Sequence, residues 1–316
     1  MSGHVLVTGA AGFVGRHLLQ ELIREEADVV GWYRPGAVRG PYAATGVRWL
    51  GVDLLDRAAV RSAIGDSPPA QIYHLAGYSN VAQSWTHTRE VFESNVLATH
   101  HLFDALKDAH LRPRVLVSLS AAVYRPASRP LVEDDVLEPL NPYATSKLAQ
   151  EMVAAAAFAE DGIPTLLARA FNHTGPGQPP GFIAPDIARQ LALIEFGHME
   201  PALSLGNLDA ARDLSDVRDV ARAYVAMMKR ASPGVPYNVC SGTAVSVKAL
   251  VDTLIAAAKV PVRVIQDPAK FRPVDVPLIQ GDHGRLSADT AWQPEISLDR
   301  TLTDVLDYWR ATVGRE

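Results

Sequence analysis

A short strand that ends in a glycine-rich turn is the feature that most constrains the fold of this chain. Residues 5–12 read Val-Leu-Val-Thr-Gly-Ala-Ala-Gly, and a further glycine follows at position 15. After the turn, apolar residues recur at the spacing of one buried helix face: Leu18, Leu19, Leu22 and Ile23. Such a turn can bend tightly and bring a phosphate against the amides at the positive end of a helix dipole. The pattern predicts a dinucleotide-binding turn, with a glycine-rich turn that binds no ligand as the alternative.

Strand and helix patterns alternate over the first two thirds of the chain. After the opening unit, strands are predicted at 27–32, 47–52, 71–75, 114–119 and 165–170. A long helix is predicted over 91–109, and another runs from the cap residue Asn141, with Pro142 in its first turn, to about residue 160. This alternation is typical of a parallel sheet with helices on both faces.

The predicted fold is therefore α/β, a Rossmann-type doubly wound parallel sheet with a smaller, mixed C-terminal lobe. We expect residues 1–170 to form the dinucleotide-binding domain, with parts of the later chain returning to it. Residues 171–316 are expected to form mainly the lobe that binds the second ligand.

Composition excludes several classes of function. The net charge of −5, without a run of Lys and Arg, argues against a nucleic-acid partner. Cys240 is the only cysteine, which excludes an intrachain disulfide and a thiolate metal cluster and favours a reducing cytoplasm. The first strand begins near His4, which leaves no room for a signal peptide, and no apolar stretch reaches the roughly 20 residues of a membrane span. We expect a cytoplasmic protein with no metal site and no membrane contact.

The end of the second strand, where a Rossmann fold selects its dinucleotide, carries no carboxylate. The strand ends Gly-Trp-Tyr-Arg, and Arg34 is placed to pair with a 2′-phosphate. This predicts NADP(H), with NADH as the alternative; a solvated loop arginine is the structural alternative for Arg34. Asp53, after the third strand, lies where such folds contact the adenine amino group, or else forms a plain strand-end turn.

Tyr143 and Lys147 lie four residues apart, which is one turn of a helix and places both on one face. A free tyrosine has a pKa near 10, but an ammonium roughly 4 Å away contributes on the order of 4 kcal/mol, or about three pK units. We therefore expect Tyr143 to titrate near pH 7 and to donate its proton to a developing alkoxide. Ser120, at the end of the fifth strand, can hydrogen-bond the same substrate oxygen; a turn-forming serine is the alternative.

With these motifs the chain resembles the extended short-chain dehydrogenase/reductases, which share the Thr-Gly-x-x-Gly-x-x-Gly turn and the Ser, Tyr, Lys arrangement. The resemblance covers essentially the whole chain. It implies that Ser120 orients the substrate oxygen, that Tyr143 is the general acid, and that Lys147 holds the nicotinamide ribose. Asn95 matches an asparagine that braces the lysine side in many relatives. The cofactor-binding residues expected are Gly9, Gly12, Phe13, Val14, Gly15, Arg34, Asp53, Leu54, Leu75, Ala76, Gly77, Asn95, Tyr143 and Lys147.

Local stretches of the later chain resemble enzymes that act on GDP-linked sugars. The segments 168–177, 206–213 and 272–275 are similar to those of GDP-mannose 4,6-dehydratases and GDP-4-keto-6-deoxy-D-mannose reductases. By that resemblance Asn172, Arg212 and Arg272 contact the sugar diphosphate and Asp275 contacts a ribose hydroxyl. Two arginines that converge on a pyrophosphate make a charge-assisted clamp; salt bridges that only hold the lobe together are the alternative.

The residue two positions after Ser120 separates the two reactions. A dehydratase needs a carboxylate base there to remove the C5 proton, and this chain has Ala122. We therefore expect NADPH-dependent reduction of the 4-keto group of GDP-4-keto-6-deoxy-D-mannose to GDP-D-rhamnose. The alternatives are a GDP-mannose 4,6-dehydratase, a 6-deoxytalose-forming 4-ketoreductase, another nucleotide-sugar reductase or epimerase, and a non-catalytic dinucleotide-binding regulator.

The resemblance also implies a homodimer that pairs the long helix and the catalytic helix of each subunit in a four-helix bundle. Four small residues of the catalytic helix would permit close packing there: Ala149, Ala154, Ala155 and Ala156.

Overall fold

The computed structural model describes residues 3–36, 46–267 and 276–315. Its strands, in chain order, are β1 (Val5–Thr8), β2 (Val29–Tyr33), β3 (Val47–Gly51), β4 (Gln71–His74), β5 (Arg114–Ser120), β6 (Thr165–Ala170), β7 (Asn172–Thr174), β8 (Ala202–Leu205), β9 (Ala211–Asp216), β10 (Pro236–Val239), β11 (Ala244–Ser246), β12 (Arg263–Gln266) and β13 (Leu278–Ile279). The predicted strands are all present, and their ends differ from the prediction by at most two residues.

The helices of the described residues are α1 (Phe13–Arg24), α2 (Arg57–Asp66), α3 (Thr88–Phe92), α4 (Ala98–Asp108), α5 (Pro142–Asp161), α6 (Ile183–Glu195), α7 (Val217–Arg230), α8 (Val247–Ala256), α9 (Gly284–Thr290) and α10 (Leu298–Val313). Three-residue 3-10 turns lie at Gln83–Trp85 and Ala121–Val123. None of these helices has the length and the apolar composition that crossing a bilayer requires.

Seven parallel strands form the central sheet in the order β10-β6-β5-β4-β1-β2-β3. Their side chains form a buried core on each face of the sheet: α1 and α7 contribute to one, and α2, α4 and α5 to the other. Because sequential strands run outward from β1 in both directions, the chain reverses its winding between β1 and β4, which is where doubly wound folds bind ligands. The predicted fold class is confirmed.

A separate buried core lies in the later part of the chain. Helices α6, α8 and α10 pack their apolar faces together beside β8, which pairs with β12. Strand β9 pairs with β7, β11 and β13 in a second small sheet. Strand β10 belongs to this later part of the sequence but pairs with β6 in the central sheet.

The helix predicted over 91–109 is present and contains a π-helical turn. It begins earlier, at Thr88, and a π-helical turn at Glu93–Leu97 separates α3 from α4. The side chain of Asn95 in this turn is fully buried and bonds the backbone of Tyr78 and the hydroxyl of Ser146, which ties the turn to two neighbouring elements. Periodicity predicted the helical run but not its π-helical turn, because it does not reveal an inserted residue.

Helix α5 begins as the sequence predicts. The carboxamide of Asn141 accepts a hydrogen bond from the Ala144 amide at 2.9 Å, and Pro142 occupies the first turn. One residue of the predicted dimer surface faces inward, because Ala154 is fully buried in the core between α5 and the central sheet. Ala149 and Ala155 are half-buried, and Ala156 is exposed.

Candidate active site

The carboxyl ends of the central strands bring the predicted catalytic and cofactor residues to one edge of the sheet. Gly9 follows β1, Leu75 follows β4 and Ser120 ends β5. β1 and β4 are neighbours at the reversal of winding, and β5 lies directly beside β4. The candidate site is therefore at the position where doubly wound sheets bind dinucleotides.

The glycine-rich turn has backbone geometry that requires its glycines. Gly9 has φ +67, and a Cβ there would lie 2.8 Å from the Ala76 amide nitrogen of the turn after β4. A Cβ at Gly15 would collide with the carbonyl oxygen of Gly9. Gly12, the N-cap of α1, provides no side-chain acceptor for the first-turn amides, where Phe13, Val14 and Gly15 lie. These residues fit a bound pyrophosphate, because free amides at a helix N-terminus bind anions.

An aromatic contact connects the glycine-rich turn to the loop after β6. The ring of His173 stacks on that of Phe13, with centroids 6.1 Å apart and an interplanar angle of 12°. His17, one turn further along α1, bonds the carbonyl oxygen of Pro176 through Nε2 at 3.0 Å. Burial lowers the pKa of both histidines, so both are neutral rings at neutral pH.

The residues expected to contact the adenosine half lie at the ends of β2 and β3. Arg34 directly follows β2 and is exposed. Asp53 accepts a hydrogen bond from the Leu55 amide at 3.0 Å, and its contact with the adenine amino group stays a prediction. The carbonyl oxygen of Leu54 bonds the ring of His101 at 2.9 Å.

The turn after β4 lies between Asn95 and Lys147. A Cβ on Gly77 would come within 2.6 Å of the Asn95 carboxamide oxygen and 3.7 Å of the Lys147 ammonium nitrogen. Asn95 accepts from the Tyr78 amide at 2.7 Å and donates to Ser146, the residue before the lysine, at 2.9 Å. Asn95 thus braces the lysine side through Ser146.

The Ser120 hydroxyl lies near the Tyr143 phenol and favours its ionised form, which opposes the rise of the Tyr143 pKa. Ser120 ends β5, and its hydroxyl also accepts from the Ala122 amide at 3.2 Å. Tyr143 lies in the first turn of α5, a position fixed by the Asn141 cap. Both side chains are buried at the end of the sheet, so the structure brings two of the three predicted catalytic groups close together.

Lys147 points its ammonium toward neutral oxygens. Its Nζ donates to the carbonyl oxygen of Ser118 at 2.9 Å and to the side-chain oxygen of Gln150 at 2.8 Å. Burial lowers the pKa of Lys147 to about 7. Burial also raises the pKa of Tyr143, and the nearby Ser120 hydroxyl opposes that rise. The predicted fall of the Tyr143 pKa to near 7 is therefore wrong in this structure, because desolvation of the phenolate prevails.

Two of the four predicted substrate residues lie in the described part of the chain. Asn172 begins β7 and is exposed directly after β6. Arg212 is on β9, partly buried, and donates to the carbonyl oxygen of Ala211 at 2.8 Å. Arg272 and Asp275 lie outside the described residues, so the predicted arginine clamp is left as a prediction.

The side chain two positions after Ser120 is the methyl group of Ala122, which can neither accept nor donate a proton. The next large polar side chain, Tyr124, is buried, and its hydroxyl belongs to a separate hydrogen-bond network. Its hydroxyl donates to Asn238 at 2.7 Å and accepts from Arg169 at 2.8 Å.

Comparison with known proteins decides the family. The sequence model of the family described as GDP-mannose 4,6 dehydratase matches residues 6–305. The chain belongs to this family. GDP-6-deoxy-D-mannose reductase of Pseudomonas aeruginosa is 34% identical over 100% of both chains. GDP-mannose 4,6 dehydratase of Drosophila melanogaster is 26% identical over 95% of this chain and 84% of its own length.

Solved structures agree with the placement of this chain in the GDP-mannose 4,6-dehydratase family. The structure of RMD from Pseudomonas aeruginosa complexed with NADPH has a TM-score of 0.85 at 31% identity and covers 98% of this chain and 100% of its own. UDP-glucose 4-epimerase of Thermotoga maritima, at 22% identity and a TM-score of 0.88 over 98% of this chain and 99% of its own, shares the fold. The predicted extended short-chain dehydrogenase/reductase, a NAD(P)-dependent oxidoreductase, is confirmed.

Sequence reasoning missed the residues that contact Lys147 in this family member. Gln150 is fully buried and holds the ammonium, and His74 and Thr99 are fully buried behind it. The spacing of three residues between Lys147 and Gln150 was an available signal, since it places both on one helix face. The contributions of His74 and Thr99 carried no signal in the sequence, because they come from β4 and α4.

Proposed function

We propose that this protein reduces the 4-keto group of GDP-4-keto-6-deoxy-D-mannose to GDP-D-rhamnose with NADPH. The observation that carries the proposal is a site with a buried proton donor, Tyr143, and with no carboxylate at Ala122, where a dehydratase needs its base. The full-length similarity to a GDP-6-deoxy-D-mannose reductase supports the same reaction.

The reduction uses the chain's own residues for orientation and proton transfer. Ser120 holds the substrate carbonyl oxygen through its hydroxyl, and Tyr143 donates the phenolic proton to that oxygen as it becomes an alkoxide. The raised pKa of Tyr143 keeps the proton available at neutral pH. NADPH supplies the hydride to the carbonyl carbon when it is bound. Lys147 holds the nicotinamide ribose, and its ammonium stabilises the phenolate that forms when Tyr143 gives up its proton.

The cofactor is held by the glycine-rich turn, by the turns after β3 and β4, and by Arg34. The turn fits a pyrophosphate because of Gly9, Gly12 and Gly15. These residues have no side chains that would cover or bond the first-turn amides of α1, so a pyrophosphate can bind those amides. The exposed guanidinium of Arg34, directly after β2, is available for a 2′-phosphate. The bound cofactor of the Pseudomonas structure, NADPH, supports this choice.

Arg34→Gln tests the cofactor assignment. A charge-assisted bond to a phosphate contributes about 1.5–3 kcal/mol, so we expect kcat/KM for NADPH to fall about 10- to 100-fold while kcat/KM for NADH stays unchanged. Arg48→Gln, which removes an exposed arginine of β3 that pairs with Asp28, is the matched control and leaves both values unchanged. Equal losses with both cofactors would contradict the role of Arg34.

The substrate lobe is proposed to cover residues 171–316, and the dinucleotide-binding domain residues 1–170 together with β10. Asn172, Arg212, Arg272 and Asp275 bind the GDP part of the substrate. The lone cysteine, Cys240, which is buried, agrees with action in a reducing cytoplasm.

We also propose a homodimer formed through the helical run 88–108 and α5 in a four-helix bundle. Both helices expose apolar side chains: Leu97 at 41% and Met152 at 66% of their full area. A second copy of the chain would cover both.

The proposed reaction is tested with freshly prepared GDP-4-keto-6-deoxy-D-mannose and NADPH, following absorbance and identifying the product sugar by NMR. The expected outcome is NADPH consumption and an equatorial 4-hydroxyl. An axial 4-hydroxyl would make the protein a 6-deoxytalose-forming reductase. Formation of the keto sugar from GDP-mannose alone would make it a dehydratase and overturn the argument from Ala122.

A further inference from the structure

A chain of buried polar side chains runs from Lys147 to the strand before the glycine-rich turn. Lys147 donates to Gln150 at 2.8 Å, and Gln150 donates to the Thr99 hydroxyl at 2.9 Å. The Nε2 of His74 bonds the same hydroxyl at 2.8 Å, and its Nδ1 bonds the Thr8 hydroxyl at 2.8 Å. These side chains come from α5, α4, β4 and β1, and Gln150, Thr99, His74 and Thr8 are fully buried.

The direction of every bond in this chain follows from one contact. The Thr99 hydroxyl donates its only proton to the backbone carbonyl oxygen of Asn95 at 2.7 Å, so both other partners must donate to it. His74 therefore carries its proton on Nε2 and accepts from Thr8 on Nδ1. The amide nitrogen of Gln150 must point at Thr99, which leaves its oxygen toward Lys147.

We propose that Gln150, Thr99 and His74 are positioning residues that hold the Lys147 ammonium in one orientation at the cofactor site and connect it to Thr8 at the glycine-rich turn. The proposal rests on the proposed function in one respect, the role of Lys147 toward the nicotinamide ribose. Without Thr99 and His74, rotation of the Gln150 amide by half a turn would place its NH2 group against the ammonium.

Lys147 is buried, so its ammonium depends on the oxygens that accept its protons. Within the described residues, the recorded acceptors of its protons are the Ser118 carbonyl and the Gln150 amide. Among the described residues, the titratable neighbours of Lys147 include Tyr143, four residues earlier on α5, and His74 on β4. The ammonium disfavours the protonated form of His74 and so lowers its pKa. Two neutral acceptors stabilise the buried cation and leave a third proton for a ligand.

The pKa of the Lys147 ammonium reports whether Gln150 stabilises it. We would label lysine side chains with 13C, follow the pH titration of Lys147 in the ligand-free protein by NMR, and assign its signal by its loss in Lys147→Met. The wild-type lysine is expected to titrate at about 7 because of its burial. Gln150→Met removes one acceptor and is expected to lower the pKa by about one unit. Gln150→Glu adds an opposite charge and is expected to raise it by about one to three units.

Two threonine variants distinguish a specific effect on Lys147 from the general effect of losing a buried hydrogen bond. Thr99 and Thr290 are both buried and both donate to the carbonyl oxygen four residues earlier, but Thr290 lies in α9, remote from the lysine. Thr99→Val is expected to lower the pKa of Lys147, and Thr290→Val is expected to leave it unchanged. The same proteins are then assayed for reduction of the keto sugar across pH, where the alkaline limb of kcat should move with the pKa.

The proposal is supported if the pKa of Lys147 falls in Gln150→Met and rises in Gln150→Glu. It also requires that this pKa shift in Thr99→Val and stay unchanged in Thr290→Val. Shifts in the same direction for Gln150→Met and Gln150→Glu, or no shift in either, would overturn it, as would equal shifts for the two threonine variants. If the titrations follow the expected pattern while the wild type does not reduce the keto sugar, the positioning role stands and the proposed reaction fails.

Discussion

Tyr143 and Lys147 are close in the sequence and both buried, yet burial moves their pKa values in opposite directions. It raises the pKa of the phenol and lowers that of the ammonium to about 7, since desolvation disfavours whichever form is charged. The pair was predictable from the Tyr-x-x-x-Lys spacing. The direction of the Tyr143 shift was not, because it depends on how completely the surrounding elements remove water.

Removing the phenolic hydroxyl tests whether Tyr143 is the proton donor. In Tyr143→Phe we expect kcat to fall about 10²- to 10⁴-fold, the usual contribution of a positioned general acid. The dissociation constant of NADPH, measured by fluorescence titration, should change less than twofold, because the ring remains. Tyr308→Phe, a tyrosine of α10 in the substrate lobe, is the control with wild-type turnover. A Tyr143→Phe enzyme with unchanged kcat would refute the assignment.

At the scale of elements, the start of α5 determines where Tyr143 lies. Asn141 caps the helix through the Ala144 amide, and this cap was predictable because Asn-Pro at a helix start is a strong local signal. The π-helical turn at Glu93–Leu97 was not predictable. It depends on the burial of Asn95 against Tyr78 and Ser146, which are distant in the sequence.

Replacing the cap should affect stability and catalysis together. Asn141→Ala is expected to lower the free energy of unfolding by about 1 kcal/mol and to lower kcat, since the first turn carrying Tyr143 loses its fixed start. Ser246→Ala removes an equivalent cap from α8, where Ser246 accepts from the Ala249 amide at 3.1 Å, and should lower stability alone. Urea unfolding and kcat, measured on both variants, distinguish them. Equal kcat values in the two would contradict a role for the α5 cap in catalysis.

The buried His74 connects β1, β4 and α4 and makes stability depend on pH. Burial, reinforced by the charge of Lys147, lowers its pKa from 6.5 to about 3. Between these values the unfolded chain binds a proton that the native state does not, so the native state loses stability as pH falls. The expected loss from this residue is about 1.4 kcal/mol per pH unit below 6.5.

Urea unfolding between pH 4.5 and 7 measures this contribution. His74→Gln should lose less stability per pH unit than the wild type, by about 1.4 kcal/mol, because the titrating ring is gone. His100→Gln, in which an exposed histidine of α4 is replaced, should keep the wild-type slope. An unchanged slope in His74→Gln would mean that other groups carry the acid sensitivity.

At the scale of the whole molecule, the sequence predicted the parallel sheet and its glycine-rich turn because both rest on local patterns. It predicted the strands of the first 170 residues but not that β10 joins the sheet beside β6. That pairing joins strands more than 60 residues apart, and no periodicity encodes it. The order of β7, β9, β11 and β13 in the small sheet was unpredictable for the same reason.

The exposed apolar surface of α5 leads to a prediction for the assembly. Met152, at 66% exposure, lies on the surface that the proposed dimer covers, and burying its side chain in a second copy would stabilise the pair. Met152→Arg places a charge there and is expected to shift the protein from dimer to monomer in size-exclusion chromatography with light scattering at micromolar concentration. Ile265→Arg is the matched control, because Ile265 of β12 is 50% exposed and lies on a different element, so the dimer should persist. A wild-type monomer under the same conditions would refute the four-helix interface, and dissociation by both variants would place the interface elsewhere.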